Sequence, residues 1–99
     1  MTSNRVALIG AGAMGGAIGT RLAETGNRLT VFDPDPAKRQ ALVDKGATAA
    51  PTAAEAAAVS DYVILSLNSP AIVRRAVLGE RGVAEGAKPG TLIIDMSSI

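Results

Sequence analysis

Residues 6–15 have the sequence V-A-L-I-G-A-G-A-M-G, an apolar run that leads directly into a G-x-G-x-x-G turn. Asp33 stands at the end of the next apolar run, 18 residues after Gly15. A G-x-G-x-x-G sequence alone is weak evidence. Here a strand pattern precedes it, a helical pattern follows it, and an acid lies at about the expected distance. Together these features predict a βαβ unit that binds a dinucleotide.

Each glycine of the turn has its own expected role. Gly10 permits the tight turn from strand to helix, Gly12 lets the backbone approach a pyrophosphate closely, and Gly15 lets the helix pack tightly. The helix then begins with unsatisfied backbone N–H groups and the positive end of its dipole, which both attract phosphate. The alternative is a structural glycine-rich turn without a ligand. We expect cofactor contacts from the whole turn, namely Gly10, Ala11, Gly12, Ala13, Met14 and Gly15.

Short apolar runs alternate with helical patterns along the rest of the chain. Strands are predicted at residues 5–9, 29–32, 47–50, 62–67 and 91–95, and helices at 13–25, 36–45, about 53–60 and 70–78. Met14, Ile18 and Leu22 recur every four residues, which predicts one buried face on the first helix. Residues 79–90 contain four glycines and are expected to form a loop.

Three short motifs predict where helices begin. Asp35-Pro36 and Ser69-Pro70 each place an N-cap residue before a proline at the first helical position. Residues 52–55 have the sequence T-A-A-E, which matches a capping box with Thr52 as the cap.

The alternation of strands and helices predicts the α/β class, as a Rossmann-type doubly wound parallel sheet of strand order 3-2-1-4-5. Ligands of such sheets bind at the carboxyl ends of strands 1 and 4, where the order reverses. Residues 10–15, 67–69 and 96–98 all meet at this edge. We expect residues 1–99 to form one dinucleotide-binding domain.

Composition limits the alternatives. The 99 residues include 47% hydrophobic residues but only one Phe, one Tyr and no Trp, so an aliphatic core is expected. Net charge is +1 without a basic cluster, and no apolar run approaches about 18 residues, so neither a nucleic-acid partner nor a membrane span is expected. The chain lacks Cys and His, so no metal site is expected. The N-terminus lacks a secretory pattern, and a cytoplasmic location is the expectation.

Asp33 bears on the choice of cofactor. A carboxylate at the end of the second strand can accept hydrogen bonds from the adenosine ribose hydroxyls, and it repels the additional phosphate of NADP. The alternative is that Asp33 caps the next helix, but Asp35-Pro36 supplies a better cap. The positive charges of Lys38 and Arg39 are able to offset the negative charge of a 2′-phosphate. However, both side chains are expected to be solvated charges in the first turn of a helix. The sequence therefore favours NAD over NADP.

Residues 9–15 (I-G-A-G-A-M-G), 22–26 (L-A-E-T-G) and 31–33 (V-F-D) resemble the N-terminal domain of β-hydroxyacid dehydrogenases. This family includes 3-hydroxyisobutyrate dehydrogenase and tartronate semialdehyde reductase and is related to 6-phosphogluconate dehydrogenase. Residues 94–99 (I-D-M-S-S-I) are similar to the family's D-x-S-[ST] segment after its fifth strand. The resemblance covers essentially the whole chain. It implies the NAD(P)-binding domain of an enzyme that transfers hydride between a nicotinamide cofactor and a small 3-hydroxyacid or its semialdehyde.

The resemblance also implies roles for individual residues. Leu67 and Asn68 are expected to line the cofactor, although Asn68 replaces a Pro that is common in the family. Ser98 stands where the family has a Ser or Thr near the nicotinamide and the substrate, so it is expected to contact both. The alternative for Ser97 and Ser98 is a polar strand end that satisfies backbone groups.

No residue of the chain is expected to be catalytic. The family's catalytic Lys, its substrate-binding glycine motif and its helical C-terminal domain follow the segment that these 99 residues resemble. The resemblance therefore implies a domain that is inactive alone, whose parent binds substrate through the absent domain and forms a homo-oligomer. Two alternatives remain open: a stand-alone, non-catalytic nucleotide-binding module, and the cofactor domain of a pyrroline-5-carboxylate reductase or imine reductase.

Overall fold

Five parallel strands form one sheet in the order β3-β2-β1-β4-β5, in a computed structural model that describes residues 4–97. The predicted order 3-2-1-4-5 is therefore confirmed. The strands are β1 (Arg5–Ile9), β2 (Arg28–Phe32), β3 (Thr48–Ala49), β4 (Tyr62–Leu65) and β5 (Leu92–Asp95). The helices are α1 (Ala13–Glu24), α2 (Pro36–Val43), α3 (Ala53–Ala58), α4 (Pro70–Leu78) and α5 (Val83–Gly86).

The register of the sheet brings three strand ends to one edge. Ile9 at the end of β1 pairs with Phe32 of β2 and with Leu65 of β4. The Gly10 N–H then donates to the Phe32 carbonyl at 2.9 Å, and the Ser66 N–H donates to the Ile9 carbonyl at 2.9 Å. The segments that follow β1, β2 and β4 therefore emerge side by side.

Aliphatic side chains fill both faces of the sheet, as the composition predicts. On one face α3 and α5 cover Ala7, Ile9, Val63 and Leu65. On the other face α1 and α2 cover the alternate residues of the same strands, among them Leu8, Val31 and Ile64. This two-sided burial is the reason that the central strands are continuous apolar runs.

The helix starts agree with the capping motifs. The Asp35 carboxylate accepts the Ala37 N–H at 2.9 Å, and the Ser69 hydroxyl oxygen accepts the Ile72 N–H at 3.2 Å. The Thr52 hydroxyl oxygen accepts the Glu55 N–H at 3.1 Å. Only this half of the predicted capping box is present. The return bond, from the Thr52 N–H to the Glu55 side chain, is not among the hydrogen bonds of residues 4–97.

Three predictions about elements are wrong. The stretch 79–90 is not a continuous loop, because Val83 is fully buried and begins the short helix α5 against α3. Strand β4 ends at Leu65 rather than Leu67. Met14 does not share the buried face of Ile18 and Leu22; it is 53% exposed because it lies in the first turn of α1, beside the open edge of the sheet.

Within residues 4–97, no helix combines the length and the apolar character that crossing a bilayer requires.

Candidate dinucleotide site

The turn between β1 and α1 requires two of its glycines for its own geometry. Gly10 has φ of +100°, and a Cβ at this position would overlap the carbonyl oxygen of Ser66. A Cβ at Gly15 would overlap the carbonyl oxygen of Gly10. These two residues are therefore explained by the fold, and neither requires a ligand.

Gly12 is different, because no contact among residues 4–97 requires a glycine there. Its φ of −70° is open to any residue, and apart from its two chain neighbours no atom of these residues lies within 4 Å of the place that a Cβ would occupy. The backbone at Gly12 is therefore exposed to open space in front of α1. Open space at this position is what a closely approaching ligand requires.

The start of α1 suits an anion. Gly12 is its N-cap and supplies no side-chain hydrogen bond, and the first turn contains no acidic residue. The N–H groups of Ala13, Met14 and Gly15 have no partner within the helix, as in the first turn of any α-helix. These donors and the helix dipole attract phosphate oxygens. The residues present therefore fit the pyrophosphate of a dinucleotide.

Asp33 connects the end of β2 to the glycine turn. One carboxylate oxygen accepts the Ala11 N–H at 2.8 Å, and the other accepts the Asp35 N–H at 2.8 Å. The side chain is buried, with 8% exposure. The alternative that Asp33 caps α2 is wrong, because Asp35 is the N-cap. The spacing of the motif placed Asp33 at this edge, but it gave no sign of the bond to Ala11.

Arg39 lies beside Asp33, contrary to the expectation that it is a solvated charge. Its Nη1–H donates to the Asp33 backbone carbonyl at 3.0 Å, and the residue is half-buried. Lys38 is exposed, as expected. Helical side chains point toward the N-terminus of their helix, which brings Arg39 back to the end of β2.

An apolar pocket of about 510 Å³ opens between the ends of β1 and β2 and the helix α4. The predicted site residues Gly10 and Leu67 line it. The other residues that line the pocket are not predicted from the sequence, because they come from elements distant in the chain and no motif marks them. Among them are Phe32, Pro34, Ile72 and Ala76.

A chain of hydrogen bonds joins the segments after β4 and β5. The Leu67 N–H donates to the Ser97 hydroxyl oxygen at 2.9 Å, and the Ser97 N–H donates to the Asp95 carboxylate at 2.9 Å. Hydrogen bonds from the backbone and then the hydroxyl of Ser97 hold the pKa of Asp95 below its ordinary value. Ser97 thus satisfies a backbone group at a strand end, as its alternative role predicted.

The structure therefore brings together the glycine turn, Asp33 and Leu67 at one edge of the sheet. Asn68 follows Leu67 and is exposed there. Ser98 lies outside the described residues.

Comparison with known proteins agrees with this arrangement. The family model described as the NAD binding domain of 6-phosphogluconate dehydrogenase matches residues 5–99. The 3-sulfolactaldehyde reductase of Escherichia coli (strain K12) is 42% identical over 94 residues, which cover 95% of this chain and 32% of that protein.

Solved structures show the same fold. The 3-hydroxyisobutyrate dehydrogenase of Mycobacterium tuberculosis, solved with L-serine, superposes with a TM-score of 0.90 at 33% identity, over 99% of this chain and 33% of that one. The imine reductase of Myxococcus stipitatus in complex with NADP+ superposes with a TM-score of 0.86 at 26% identity, over 95% and 32%. The chain thus spans about a third of the length of these relatives.

Proposed function

The chain belongs to the family of NAD binding domains typified by 6-phosphogluconate dehydrogenase, and from that premise we propose that it is the cofactor domain of a 3-hydroxyacid dehydrogenase or semialdehyde reductase. The reaction of the parent enzyme is hydride transfer between the nicotinamide ring and a small 3-hydroxyacid or its semialdehyde. The single observation that carries the cofactor role is Gly12, whose missing side chain leaves open space in front of the α1 amides.

Each predicted site residue has a role in this proposal. The amides of residues 10–15 bind the pyrophosphate, and the Asp33 carboxylate accepts the hydroxyls of the adenosine ribose. Each Asp33 oxygen has a second lone pair beside the one that a backbone N–H occupies, so the ribose bonds are compatible with the fold. Leu67 and Asn68 lie along the cofactor, and Ser98 contacts the nicotinamide end and the substrate.

NAD is the cofactor in this proposal. When bound, its nicotinamide supplies the hydride chemistry. The residues of this chain bind and orient the cofactor and exclude water from one face of it. The adenine ring is placed in the pocket beside Phe32 and Ile72, because the lining of that pocket is mostly apolar.

The proposed substrate class is suggested by the names of the relatives. One is named for reduction of 3-sulfolactaldehyde and another for dehydrogenation of 3-hydroxyisobutyrate. Both names describe a small compound that carries an acidic group together with an alcohol or aldehyde function. A small acid or semialdehyde of this kind is the proposed substrate.

A second domain of the parent protein completes the active site in this proposal. The relatives are about three times as long as the matched segment. A carbonyl reductase needs a positioned proton donor, and the residues gathered at the site include no Lys, His or Tyr near the glycine turn. The helical domain of the parent therefore supplies catalysis, most substrate contacts and the homo-oligomer interface, and the isolated chain is inactive.

A second candidate is the cofactor domain of an imine reductase, which the structural match to the Myxococcus stipitatus enzyme favours. Turnover by the parent enzyme separates the two. Oxidation of 3-hydroxyacids with NAD supports the first, and reduction of cyclic imines without hydroxyacid oxidation supports the second. A parent without either activity that still binds NAD would indicate a non-catalytic nucleotide-binding module.

The cofactor role is tested with Gly12→Ala and a matched control, Gly16→Ala. The new Cβ at residue 12 lies more than 4 Å from every described atom beyond its two chain neighbours, and the one at residue 16 lies 3.6 Å from the Ala11 carbonyl oxygen, an ordinary contact. Both variants are therefore expected to fold. By calorimetric titration, Gly12→Ala loses NAD affinity by roughly tenfold or more, since a methyl group meets the pyrophosphate, whereas Gly16→Ala retains it. Equal NAD affinity in Gly12→Ala and the unmodified chain would contradict the proposal.

A further inference from the structure

A second pocket lies at the edge of the sheet where the strands begin, opposite the dinucleotide site. Its volume is about 460 Å³ and its lining is mostly polar. Arg5 of β1, Arg28 and Thr30 of β2, and Thr48 of β3 all line it. No residue of the glycine turn contributes to this lining, and neither does Asp33. The pocket is therefore separate from the proposed cofactor site.

The register of the sheet places two arginines side by side in this pocket. Arg5 and Arg28 are paired positions of the neighbouring strands β1 and β2. Like charges on directly opposed residues of a sheet repel each other. Thr30 and Thr48 are paired in the same way between β2 and β3. The fold thus gathers two arginines and two threonines at one place, which are all hydrogen-bond donors.

Only one of the two arginines is paired with a carboxylate. Arg5 donates to Asp61 through Nε–H at 3.2 Å and through Nη2–H at 3.1 Å. Among residues 4–97 this is the only ion pair, and no side-chain hydrogen bond involves the guanidinium of Arg28. Residues 1–3, 98 and 99 contain no Asp or Glu. No acidic side chain therefore pairs with Arg28, and its five N–H donors are open to a ligand.

We propose that this pocket binds the phosphate group of a small ligand, with Arg28 as the principal charge partner. A guanidinium binds phosphate through two parallel charge-assisted hydrogen bonds. The hydroxyls of Thr30 and Thr48 donate to the remaining oxygen in this arrangement. A carboxylate matches these donors less well, because it offers two oxygens and a single charge. A phosphate group offers three oxygens and a charge of about −1.5 to −2.

The pocket is larger than a phosphate group alone requires, since about 460 Å³ is within the usual range for small-molecule sites. Val59, the C-cap residue of α3, also lines it and is 51% exposed. The carbonyl groups at the end of α3 disfavour an anion there. The phosphate therefore belongs beside Arg28 and Thr48, and an organic group belongs beside Val59. This arrangement favours a phosphomonoester over inorganic phosphate.

The test is an NMR titration of the isotope-labelled chain with inorganic phosphate and, separately, with glycerol 3-phosphate, at constant ionic strength. Affinity is measured from the amide signals of residues 28–30 and 46–48. The amides at the start of α1 also attract phosphate, so their signals report a different site. Saturable shifts of residues 28–30 and 46–48 are expected with both probes, at lower concentration with glycerol 3-phosphate. Equal affinities would identify free phosphate as the ligand.

Variants of exposed residues assign the binding to this pocket. Arg28→Gln is expected to weaken it by roughly tenfold or more, since the charged donor is lost. Arg28→Lys retains the charge without the planar fork and gives an intermediate affinity. Thr48→Val keeps the β-branched shape without the hydroxyl and weakens binding by roughly threefold. Arg74→Gln is the matched control, because it removes the same charge from an exposed position on α4 outside the pocket.

Shifts that rise linearly with both probes and do not saturate would overturn the inference. An affinity that does not change in Arg28→Gln would overturn it as well. An equal loss of affinity in Arg28→Gln and Arg74→Gln would show that the chain attracts phosphate only through its overall charge. None of these results depends on binding of a dinucleotide, so the proposed cofactor role is tested separately.

Discussion

For Asp33, the spacing of the sequence motif predicts where the residue lies but not which hydrogen bonds it accepts. A glycine turn followed by an acid 18 residues later places that acid at the open edge of the sheet. The bond from the carboxylate to the Ala11 N–H joins residues 22 positions apart, and it depends on how β2 lies against β1. No local pattern contains that information. The fold therefore gives Asp33 a structural task in addition to its proposed contact with ribose.

The structural task of Asp33 leads to a prediction about stability. In Asp33→Asn the amide oxygen accepts one of the two backbone N–H groups, and the amide nitrogen is left facing the other donor. An unsatisfied buried donor costs about 1–3 kcal/mol. In a domain of this size that lowers the melting temperature by about 4–8 °C for each kcal/mol. Thermal melting followed by circular dichroism measures the change.

The matched control is Asp35→Asn. Asn is as good an N-cap as Asp, and its oxygen still accepts the Ala37 N–H, so this variant is expected to melt close to the unmodified chain. A melting temperature for Asp33→Asn equal to that of Asp35→Asn would contradict the structural role of Asp33.

The local sequence predicts a helix correctly when a capping residue marks its start. Helix α5 shows where such a prediction fails. The caps at Asp35, Thr52 and Ser69 correctly predict where three helices begin. Helix α5 has only four residues, and its glycine-rich surroundings predict a loop. It forms because Val83 is buried and Gly86 lies directly against the backbone of Ala54, where a Cβ would overlap. Contact between α5 and α3 is tertiary, so periodicity does not detect it.

The connection between β4 and β5 predicts a pH effect. The pKa of Asp95 lies below its ordinary value of 3.8, because the backbone N–H and the hydroxyl of Ser97 donate to the carboxylate. A folded-state pKa that is lower than the unfolded value contributes stability above the unfolded pKa, and this stability is lost as pH falls through the folded pKa. The contribution of Asp95 is therefore present at pH 5 and disappears at pH values below its ordinary pKa.

Ser97→Ala tests this linkage. The variant keeps the backbone N–H and removes the hydroxyl, so the pKa of Asp95 is expected to rise part of the way toward 3.8. Carboxyl carbon NMR titration measures it residue by residue. The Ser97→Thr variant retains a hydroxyl and is expected to keep the low value. Asp61 provides an internal reference, because the pKa of its carboxyl is lowered by Arg5 at the opposite end of the strands. An Asp95 pKa that does not change in Ser97→Ala would contradict the assignment.

For the molecule as a whole, the sheet is covered unevenly. Strands β1, β2 and β4 lie under helices, as the alternating pattern predicts, but every residue of the edge strand β5 is exposed. The exposed apolar residues Leu92, Ile93, Ile94 and Met96 are 53%, 41%, 38% and 47% accessible. The apolar sequence of β5 correctly predicts a strand. It also suggests burial on both faces, and the described residues do not supply that cover.

An apolar edge strand with free backbone groups favours association with another chain. The isolated chain is therefore expected to self-associate as its concentration rises. Leu92→Lys places a charge at the start of β5, on this surface, and is expected to shift the chain toward monomer in analytical ultracentrifugation, with little change in melting temperature because Leu92 is half exposed. Leu78→Lys is the control, since Leu78 is 72% exposed on α4, outside β5. If Leu78→Lys abolishes association as fully as Leu92→Lys, or if neither variant alters it, β5 is not the surface that associates. A selective effect of Leu92→Lys would identify β5 as the surface through which the chain associates.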